Sequence, residues 1–182
     1  MSAEFARNLN ALAVLLLCGV LGGAFGIQFF GREIPCPLCL LQRCAMIGVA
    51  TGALLNIRFG PTTRGYGVSL LSALFGACVS IRQILLHILP DDPGYGSPVL
   101  GMHLYTWALL VFFITGLLGA TMLLFPAQFR TSAEPLRINK LQSLAFFVVL
   151  AVVAANVVST FVECGPGFCP ANPESYRLLG PN

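Results

Sequence analysis

Charged residues are scarce in this chain. Lysine and arginine contribute ten of the 182 residues and aspartate and glutamate seven, so 9% of the side chains are charged, against about 25% in a typical soluble domain. This scarcity excludes an ordinary water-soluble globule and a disordered tail. The net charge of +3 comes without the basic face that a nucleic-acid-binding protein needs. With 57% apolar residues, the composition predicts a small membrane protein in contact with the lipid bilayer.

The apolar residues form five long segments, each near the roughly 20 residues that a transmembrane helix requires. The predicted helices cover residues 11–30, 38–57, 65–89, 104–125 and 141–162. The fold class predicted is therefore an all-α membrane protein, with a four-helix transmembrane bundle plus a fifth transmembrane helix. The whole chain, 1–182, forms a single integral membrane domain that ends in a tail, 163–182.

Glycines in the first two predicted helices have a spacing that suits close packing of helices in lipid. They are Gly19, Gly22, Gly23 and Gly26 in the first helix, and Gly48 and Gly52 in the second. The alternative is that glycine is simply frequent in such helices.

Lysine and arginine near the helix ends indicate which side of the membrane is the inside. One side carries six of them: Arg7, Arg58, Arg64, Arg130, Arg137 and Lys140. The other side carries four: Arg32, Arg43, Arg82 and Arg177. The excess predicts that the N-terminus is inside and, because the number of spans is odd, that the C-terminus is outside. The loops 31–37 and 90–102 and the tail then share the outer side, where Glu163 is also expected.

The seven cysteines divide into those inside predicted helices and those in outer segments. Inside helices are Cys18, Cys44 and Cys78. The outer segments hold two close pairs, Cys36–Cys39 and Cys164–Cys169. Two close pairs on the oxidising side of a membrane indicate thiol–disulfide chemistry. A zinc site of four cysteines is the alternative, whereas Cys18 and Cys78 are expected to be buried as small apolar residues.

The Cys-Pro-Leu-Cys sequence at residues 36–39 has features that favour a reactive thiolate. Pro35 disfavours a helical conformation before it, and Pro37 suits the first position of a helix. Cys36 and Cys39 then lie at a helix N-terminus, where partial positive charge favours thiolate. Arg43 follows Cys39 by one helical turn and adds a positive charge on the same face. A charge at the edge of hydrocarbon is costly and indicates a functional role, although snorkelling to lipid headgroups is the alternative.

The sequence Pro-Cys-Pro-Leu-Cys-Leu-Leu-Gln-Arg-Cys at residues 35–44, placed between two apolar helices, resembles the DsbB family. Members of this family are bacterial inner-membrane proteins that make disulfides by passing electrons to quinone. The resemblance covers roughly residues 11–125, and residues 94–107 resemble a DsbB-like branch. It implies a multi-pass protein of the bacterial inner membrane with its redox cysteines on the periplasmic side. It also implies ubiquinone or menaquinone as cofactor and a DsbA-like thiol oxidoreductase as periplasmic partner.

The resemblance also suggests roles for individual residues. Cys36 and Cys39 match the redox pair, with Cys39 facing the quinone, and Arg43 matches an arginine that contacts the quinone head. His87, at the outer end of the third helix, matches a family histidine near the same ring, although contact with water alone is the alternative. Cys44 is assigned to the lining of the quinone pocket, and simple packing is its alternative.

One feature departs from the family pattern. DsbB proteins usually carry a second cysteine pair between helices three and four, but the corresponding loop, 87–102, has no cysteine. The fifth helix instead leads to Cys164 and Cys169. We expect this tail pair to act as a shuttle that takes electrons from the partner and passes them to Cys36–Cys39. A permanent structural disulfide is the alternative, and the departure leaves the identity of the partner open.

The sequence thus predicts a quinone-dependent protein disulfide oxidase. A membrane thiol reductant with electrons flowing outward is disfavoured, because the cysteines inside the helices form no close pair. A small metal-binding or assembly membrane protein that uses its outer cysteines structurally remains the alternative outside redox chemistry.

Overall fold

The computed structural model describes residues 1–129, 137–173 and 175–180. Five long helices account for most of this part of the chain. They are α1 (Ala3–Phe30), α2 (Pro37–Phe59), α3 (Thr63–Leu86), α4 (Leu104–Leu123) and α5 (Lys140–Cys164), with a short 3-10 helix at Pro126–Phe129. All five are long and apolar enough to cross a membrane. The prediction of an all-α protein with five spanning helices is therefore confirmed.

Two helix ends differ from the prediction by three residues or more, and the end of α4 differs by two. Helix α1 begins at Ala3 rather than at residue 11, because the side chain of Ser2 caps it and its first turns are polar. Helix α3 ends at Leu86 rather than at residue 89. Helix α4 ends at Leu123 rather than at residue 125, since Pro126 disfavours a helical conformation for the residue before it. The other helix ends agree to within two residues.

Polar side chains of α1 join the helices at one end of the bundle. Arg7 is 3% exposed, and its guanidinium donates hydrogen bonds to the carbonyl oxygens of Ile57 (2.9 Å) and Arg137 (3.0 Å). The Asn10 carboxamide donates to the hydroxyl of Tyr66 at 3.1 Å. The end of α2, the start of α3 and the segment before α5 therefore meet around the first turns of α1.

Helices α1 and α5 run parallel to each other. At the end just described, Asn139 and Gln142 both donate to Asn8 Oδ1, at 2.8 and 2.9 Å. At the opposite end, Gln28 Nε2 donates to the hydroxyl of Tyr176 at 3.2 Å. The N-terminus and the tail therefore lie at opposite ends of the bundle. Which end faces the cytoplasm stays a prediction, and Arg130, which contributed to it, lies outside the described residues.

Glycines allow the close approach of α2 to α3. A Cβ atom at Gly48 would lie 2.6 Å from Ser72 Oγ, and one at Gly52 would lie 2.5 Å from the carbonyl oxygen of Gly65. The four glycines of α1 differ, because a Cβ on any of them would meet no atom within 4 Å. The prediction that glycine spacing supports close helix packing is confirmed for α2 and wrong for α1, whose glycines face open space.

A groove separates α1 from α4. Helix α4 packs mainly against α3 and touches α1 at few positions. Two cavities lie between α1 and α4. The first, of about 390 Å³, lies at the end of the bundle that holds the Cys-Pro-Leu-Cys sequence. The second, of about 320 Å³, lies farther along the groove and shares Val20 and Val111 with the first.

Candidate redox site

The Cys36–Cys39 pair lies at the N-terminus of α2, as predicted. Cys36 is the N-cap residue, Pro37 is the first helical residue, and the Cys36 sulfur accepts a hydrogen bond from the Cys39 backbone N–H at 3.3 Å. Both cysteines are free, and their sulfur atoms lie 2.6 Å apart. Because a disulfide bond is about 2.05 Å long, a small movement of the side chains is enough to form one.

Only one sulfur of such a close pair can carry a negative charge, because two like charges at this distance repel strongly. The hydrogen bond with Cys39, together with burial, raises the pKa of the Cys36 thiol. Arg43, one turn from Cys39 on the same helix face, favours negative charge on Cys39. The arrangement therefore assigns the thiol to Cys36 and the thiolate to Cys39.

Gln83 on α3 contacts both sulfur atoms. Its Nε2 atom donates to Cys36 Sγ at 3.2 Å and to Cys39 Sγ at 3.5 Å. The side chain is 1% exposed, and Gln42 fixes its orientation by donating to Gln83 Oε1 at 3.0 Å. Sequence reasoning did not assign this residue to the site. The signal that could have found it is an uncharged but strongly polar side chain inside an apolar helix.

Arg43 is buried against α1 and does not extend toward lipid headgroups. The side chain is 6% exposed. Its guanidinium donates to Gln28 Oε1 at 2.6 Å and to the carbonyl oxygen of Ala24 at 3.3 Å, and it lies 4.7 Å from the ring centroid of Phe25. Burial of this kind is expensive for a cation. Because the guanidinium is bonded to α1 inside the protein, the alternative that Arg43 snorkels to lipid headgroups is excluded.

The first cavity brings Cys39 and Arg43 to one wall. Its other walls come from α1, from the segment before α2, and from α4 with the loop that precedes it. Apolar side chains dominate the lining, which also includes the aromatic residues Tyr105 and Trp107. A cavity of this size with a few polar groups is typical of a small-molecule site.

The loop between α3 and α4 is fastened to the chain just before Cys36. The hydroxyl of Tyr95 donates to the carbonyl oxygen of Ile34 at 2.7 Å, and the backbone N–H of Ser97 donates to Glu33 Oε1 at 3.0 Å. Burial raises the pKa of the Tyr95 phenol, so this hydroxyl stays a hydrogen-bond donor. The loop thus lies against the end of the cavity next to this segment.

His87 and Cys44 do not line this cavity. His87 ends α3, its Nδ1 lies 3.0 Å from Asp92 Oδ1, and its ring stacks on Tyr105, which does line the cavity. Cys44 is exposed on the outer surface of α2. The assignment of both residues to quinone binding stays a prediction that this geometry does not support.

Of the two cysteines expected to be buried within helices, only one is. Cys18 on α1 is buried, as predicted, whereas Cys78 on α3 is exposed. The prediction for Cys78 is therefore wrong, because the residue lies on the outer face of its helix.

The tail pair is joined in a disulfide, Cys164–Cys169. Cys164, the last residue of α5, is 3% exposed, whereas Cys169 is partly exposed. Phe168, inside the loop that the disulfide closes, is 96% exposed. The four cysteines of the two pairs do not form one cluster: among the residues that the structure describes, no group of three or more His, Cys, Asp or Glu side chains is arranged to hold a metal ion.

The end of the tail folds back onto α5 and contacts Gln28, the residue that accepts a hydrogen bond from Arg43. The backbone N–H groups of Arg177 and Leu178 donate to the carbonyl oxygens of Glu163 and Val162, each at 3.2 Å. This turn places the hydroxyl of Tyr176 where it accepts the hydrogen bond from Gln28. The tail therefore contacts the candidate site directly.

The side chain of Glu163 is buried. Its position in the sequence had suggested that it lies on the outer surface instead. The residue is 0% exposed, and within the described part of the chain neither carboxylate oxygen has a hydrogen-bond partner. Glu163 lies one residue before the disulfide, and its backbone carbonyl oxygen accepts the hydrogen bond from the returning tail.

The fold and the site together define a helical membrane protein with a thiol pair at a helix N-terminus beside a buried arginine. A family model described as "Disulfide bond formation protein DsbB" matches residues 6–97. The chain belongs to the DsbB family. With the five spanning helices, this membership identifies a multi-pass protein of the bacterial inner membrane.

Individual relatives agree with this assignment. The Disulfide bond formation protein B of Chromobacterium violaceum is 40% identical over 91 residues, which cover 46% of this chain and 55% of the relative. That of Aromatoleum aromaticum is 33% identical over 96 residues, or 50% of this chain and 58% of the relative. That of Pseudomonas syringae pv. tomato is 32% identical over 146 residues, or 62% of this chain and 85% of the relative. No solved structure matches this chain.

The first two matches therefore span little more than half of each relative's length. The family match ends at residue 97, before α4, although the resemblance was expected to extend to about residue 125. Helix α5 and the tail lie beyond it.

Proposed function

We propose that this protein is a quinone-dependent protein disulfide oxidase. It oxidises a dithiol of a soluble partner and passes two electrons to membrane quinone. The observation that carries this proposal is the position of Cys39 and Arg43 in one wall of the 390 Å³ cavity, with Cys36 Sγ 2.6 Å from Cys39 Sγ. The names of the relatives, which are disulfide bond formation proteins, support the same chemistry.

The residues of the cavity fit a quinone. A quinone has a ring with two carbonyl acceptors and a long apolar chain, and it supplies a two-electron acceptor when bound. Arg43 has five N–H donors, of which hydrogen bonds to Gln28 and Ala24 use two, so donors remain for a carbonyl oxygen. The second cavity, which continues along the groove between α1 and α4, is apolar enough for the chain.

The residues of this protein perform two tasks in the proposed reaction. The Cys36–Cys39 disulfide accepts two electrons by thiol–disulfide exchange, in which a thiolate attacks one sulfur and the other leaves. Cys39, as the thiolate beside Arg43, then gives up those electrons at the wall of the cavity, and the Cys36–Cys39 bond forms again. Gln83 holds both sulfur atoms in place during the exchange.

We propose that the tail disulfide is the shuttle between the partner and Cys36–Cys39. Cys169 is the more exposed of the two cysteines, so an incoming thiolate reaches its sulfur first. The contact of Tyr176 with Gln28 keeps the tail against the site that receives the electrons. The partner that fits this proposal is a periplasmic DsbA-like thiol oxidoreductase, and the end of the bundle with both cysteine pairs is then the periplasmic one.

Steady-state turnover tests the proposed function. The full chain, purified in detergent, is mixed with a soluble quinone and a reduced thioredoxin-fold dithiol protein, and loss of quinone absorbance is followed. We expect turnover by the wild type and by Cys78→Ser, whose cysteine is exposed on α3, and none by Cys39→Ser. A protein that binds metal through reduced thiols, or that only assists assembly, would turn over no quinone with ubiquinone or menaquinone analogues.

A double variant separates a shuttle from a structural disulfide. In Cys164→Ser/Cys169→Ser, a shuttle role predicts loss of turnover with the protein partner but retained turnover with dithiothreitol, which is small enough to reduce Cys36–Cys39 directly. If both substrates are oxidised at the wild-type rate, the tail pair is not a shuttle. If both rates fall together with the melting temperature, the disulfide is structural.

Labelling of intact cells tests the proposed orientation. After mild reduction, a membrane-impermeant maleimide applied from outside should modify Cys169, and should not modify a cysteine introduced by Asn8→Cys at the opposite end of the bundle. The reverse pattern would contradict the proposed orientation.

A further inference from the structure

Glu163 has no role in the site described so far, although its surroundings are unusual. It lies on α5, beyond the part of the chain that the family model matches. Its side chain is fully buried, and neither carboxylate oxygen has a hydrogen-bond partner within the described residues. A buried carboxylate without hydrogen bonds is costly, so the neighbouring charges decide whether the group is ionised.

Within the described part of the chain, the charged and titratable groups near Glu163 come from three elements. They are Cys39 and Arg43 on α2, Tyr95 in the loop before α4, and Tyr176 and Arg177 in the tail. Arg177 is exposed, and its guanidinium donates to the Cys164 carbonyl oxygen, so water screens its charge. Arg43 is the buried cation of the set.

One buried cation therefore faces two groups that can each become an anion. Among the described residues, Arg43 donates to two uncharged acceptors, Gln28 Oε1 and the Ala24 carbonyl oxygen, and no carboxylate oxygen of this part of the chain lies within the 4.0 Å of an ion pair. Its charge compensates for either a Cys39 thiolate or a Glu163 carboxylate. Both anions together would leave one negative charge uncompensated in a medium of low dielectric constant.

We propose that Glu163 binds and releases the second proton that accompanies reduction and oxidation of the Cys36–Cys39 pair. The proposal rests on the proposed function, since it takes this pair as the redox centre. With the disulfide formed, Glu163 is a carboxylate that balances Arg43. With the disulfide reduced, Cys36 is a thiol, Cys39 is a thiolate that balances Arg43, and Glu163 is a neutral acid.

Electrons and protons balance in both directions. When a dithiol reduces the pair, the dithiol loses two electrons and two protons and forms its own disulfide, and the bond between Cys36 and Cys39 breaks. One proton goes to Cys36 Sγ and the other to the Glu163 carboxylate, while Cys39 retains the negative charge. In the reverse step two electrons and these two protons leave together for the electron acceptor. The net charge around Arg43 is the same in both states.

The equilibrium of the pair with a dithiol buffer tests this count of protons. The full-length protein, free of quinone, is equilibrated with reduced and oxidised dithiothreitol at several pH values, and alkylation of Cys36 and Cys39 is measured by mass spectrometry. Below about pH 8 the buffer exchanges two protons with its two electrons. The wild-type equilibrium constant is then independent of pH, whereas in Glu163→Gln it shifts tenfold per pH unit toward the reduced protein as pH rises.

Matched variants separate a proton-binding role from a structural one. Asp91→Asn removes an exposed carboxylate at the same end of the bundle and should behave as wild type. Glu163→Asp retains an acid and should restore independence from pH. A pH-independent equilibrium in Glu163→Gln, or a tenfold shift per pH unit in the wild type, would overturn the proposal.

Infrared spectroscopy keeps the proposal testable if Glu163→Gln does not fold. The difference spectrum of reduced minus oxidised wild type should show the C=O stretch of a newly protonated carboxylic acid, and Glu163→Asp should shift that band. Absence of the band would contradict the proposal. Because neither measurement contains quinone, failure of this proposal is distinguishable from failure of quinone reduction.

Discussion

The guanidinium of Arg43 donates a 2.6 Å hydrogen bond to Gln28 Oε1, and the same carboxamide donates to the hydroxyl of Tyr176. Gln28 thus links the candidate redox site on α2 to the tail, two parts of the chain that are far apart in sequence. It fixes the position of Arg43, a buried cation in the cavity wall. The protein can then present that cation to a ligand without first ordering a flexible side chain.

Loss of this link should weaken binding of quinone. In Gln28→Leu, Arg43 loses a charge-assisted hydrogen bond, which typically contributes about 1.5–3 kcal/mol, and part of that loss should appear as a quinone KM about tenfold higher. Tyr176→Phe removes only the outer hydrogen bond and should change KM much less. Steady-state kinetics with a soluble quinone provides the measurement, and an unchanged KM in Gln28→Leu would contradict this role.

Removal of Gln83 should destabilise the thiolate of the pair relative to the unreactive thiol. The Gln83 carboxamide donates to both sulfur atoms, and a hydrogen bond to a charged group contributes about 1.5–3 kcal/mol. We expect Gln83→Leu to slow alkylation of Cys39 by iodoacetamide at neutral pH about tenfold.

Ser80→Ala is the matched control for Gln83. Ser80 is also buried on α3, but its hydroxyl has no hydrogen-bond partner among the described residues, which include both cysteines. If both variants slow alkylation equally, the effect comes from a disturbed helix rather than from the contacts of Gln83 with the sulfurs.

The features that the sequence predicted are local ones. The five helices follow from runs of apolar residues, the N-cap at Cys36 follows from the flanking prolines, and the shared face of Cys39 and Arg43 follows from the helical repeat. Each depends on residues within a few turns of one another, and so the pattern is visible without knowledge of the fold.

The polar partners of the site could not be predicted because their contacts are long-range. Gln28 lies 15 residues from Arg43 and 148 from Tyr176, and Gln83 lies 47 residues from Cys36. A polar side chain in an apolar helix marks each glutamine as a candidate, but nothing in the local sequence shows which residue it contacts. The return of the tail to the end of α5, where Arg177 and Leu178 bond to the backbone of Glu163 and Val162, is long-range in the same way.

The contrast between helical glycines predicts different effects of the same substitution. In Gly52→Ala the new methyl group would meet the backbone of α3, and overpacking of this kind costs about 1–3 kcal/mol. Gly22→Ala places a methyl group in open space and should be neutral or stabilising by about 0.5–1 kcal/mol, as expected for alanine in a helix. Thermal unfolding in detergent measures both, and equal effects would contradict the packing of α2 on α3.

The loop between α3 and α4 should loosen in acid. The Asp92 carboxylate accepts a hydrogen bond from the Gly94 N–H at 2.8 Å and contacts His87, and these interactions lower the pKa of Asp92 from its usual 3.8. Ionised Asp92 therefore stabilises the loop above about pH 4. This contribution is lost as the pH falls further and the carboxylate becomes protonated.

Hydrogen exchange of the Gly94 amide measures this effect. Protection, corrected for intrinsic exchange, should be constant above about pH 4 and fall below it, and Asp92→Asn should be less protected throughout. Asp91→Asn serves as the control, because Asp91 is exposed beside it. Equal protection in Asp92→Asn and the wild type would contradict the role of this carboxylate.

A single-turnover experiment tests the central claim most directly. The pre-reduced protein is mixed anaerobically with excess quinone, and quinol formation is followed together with the thiol content of both cysteine pairs. We expect one quinol for each disulfide formed, with Cys36–Cys39 and the tail pair counted together, in the wild type and in Cys44→Ser, and none in Cys39→Ser. Quinol formation in Cys39→Ser at the wild-type rate, or oxidation of either pair without quinol, would contradict this claim.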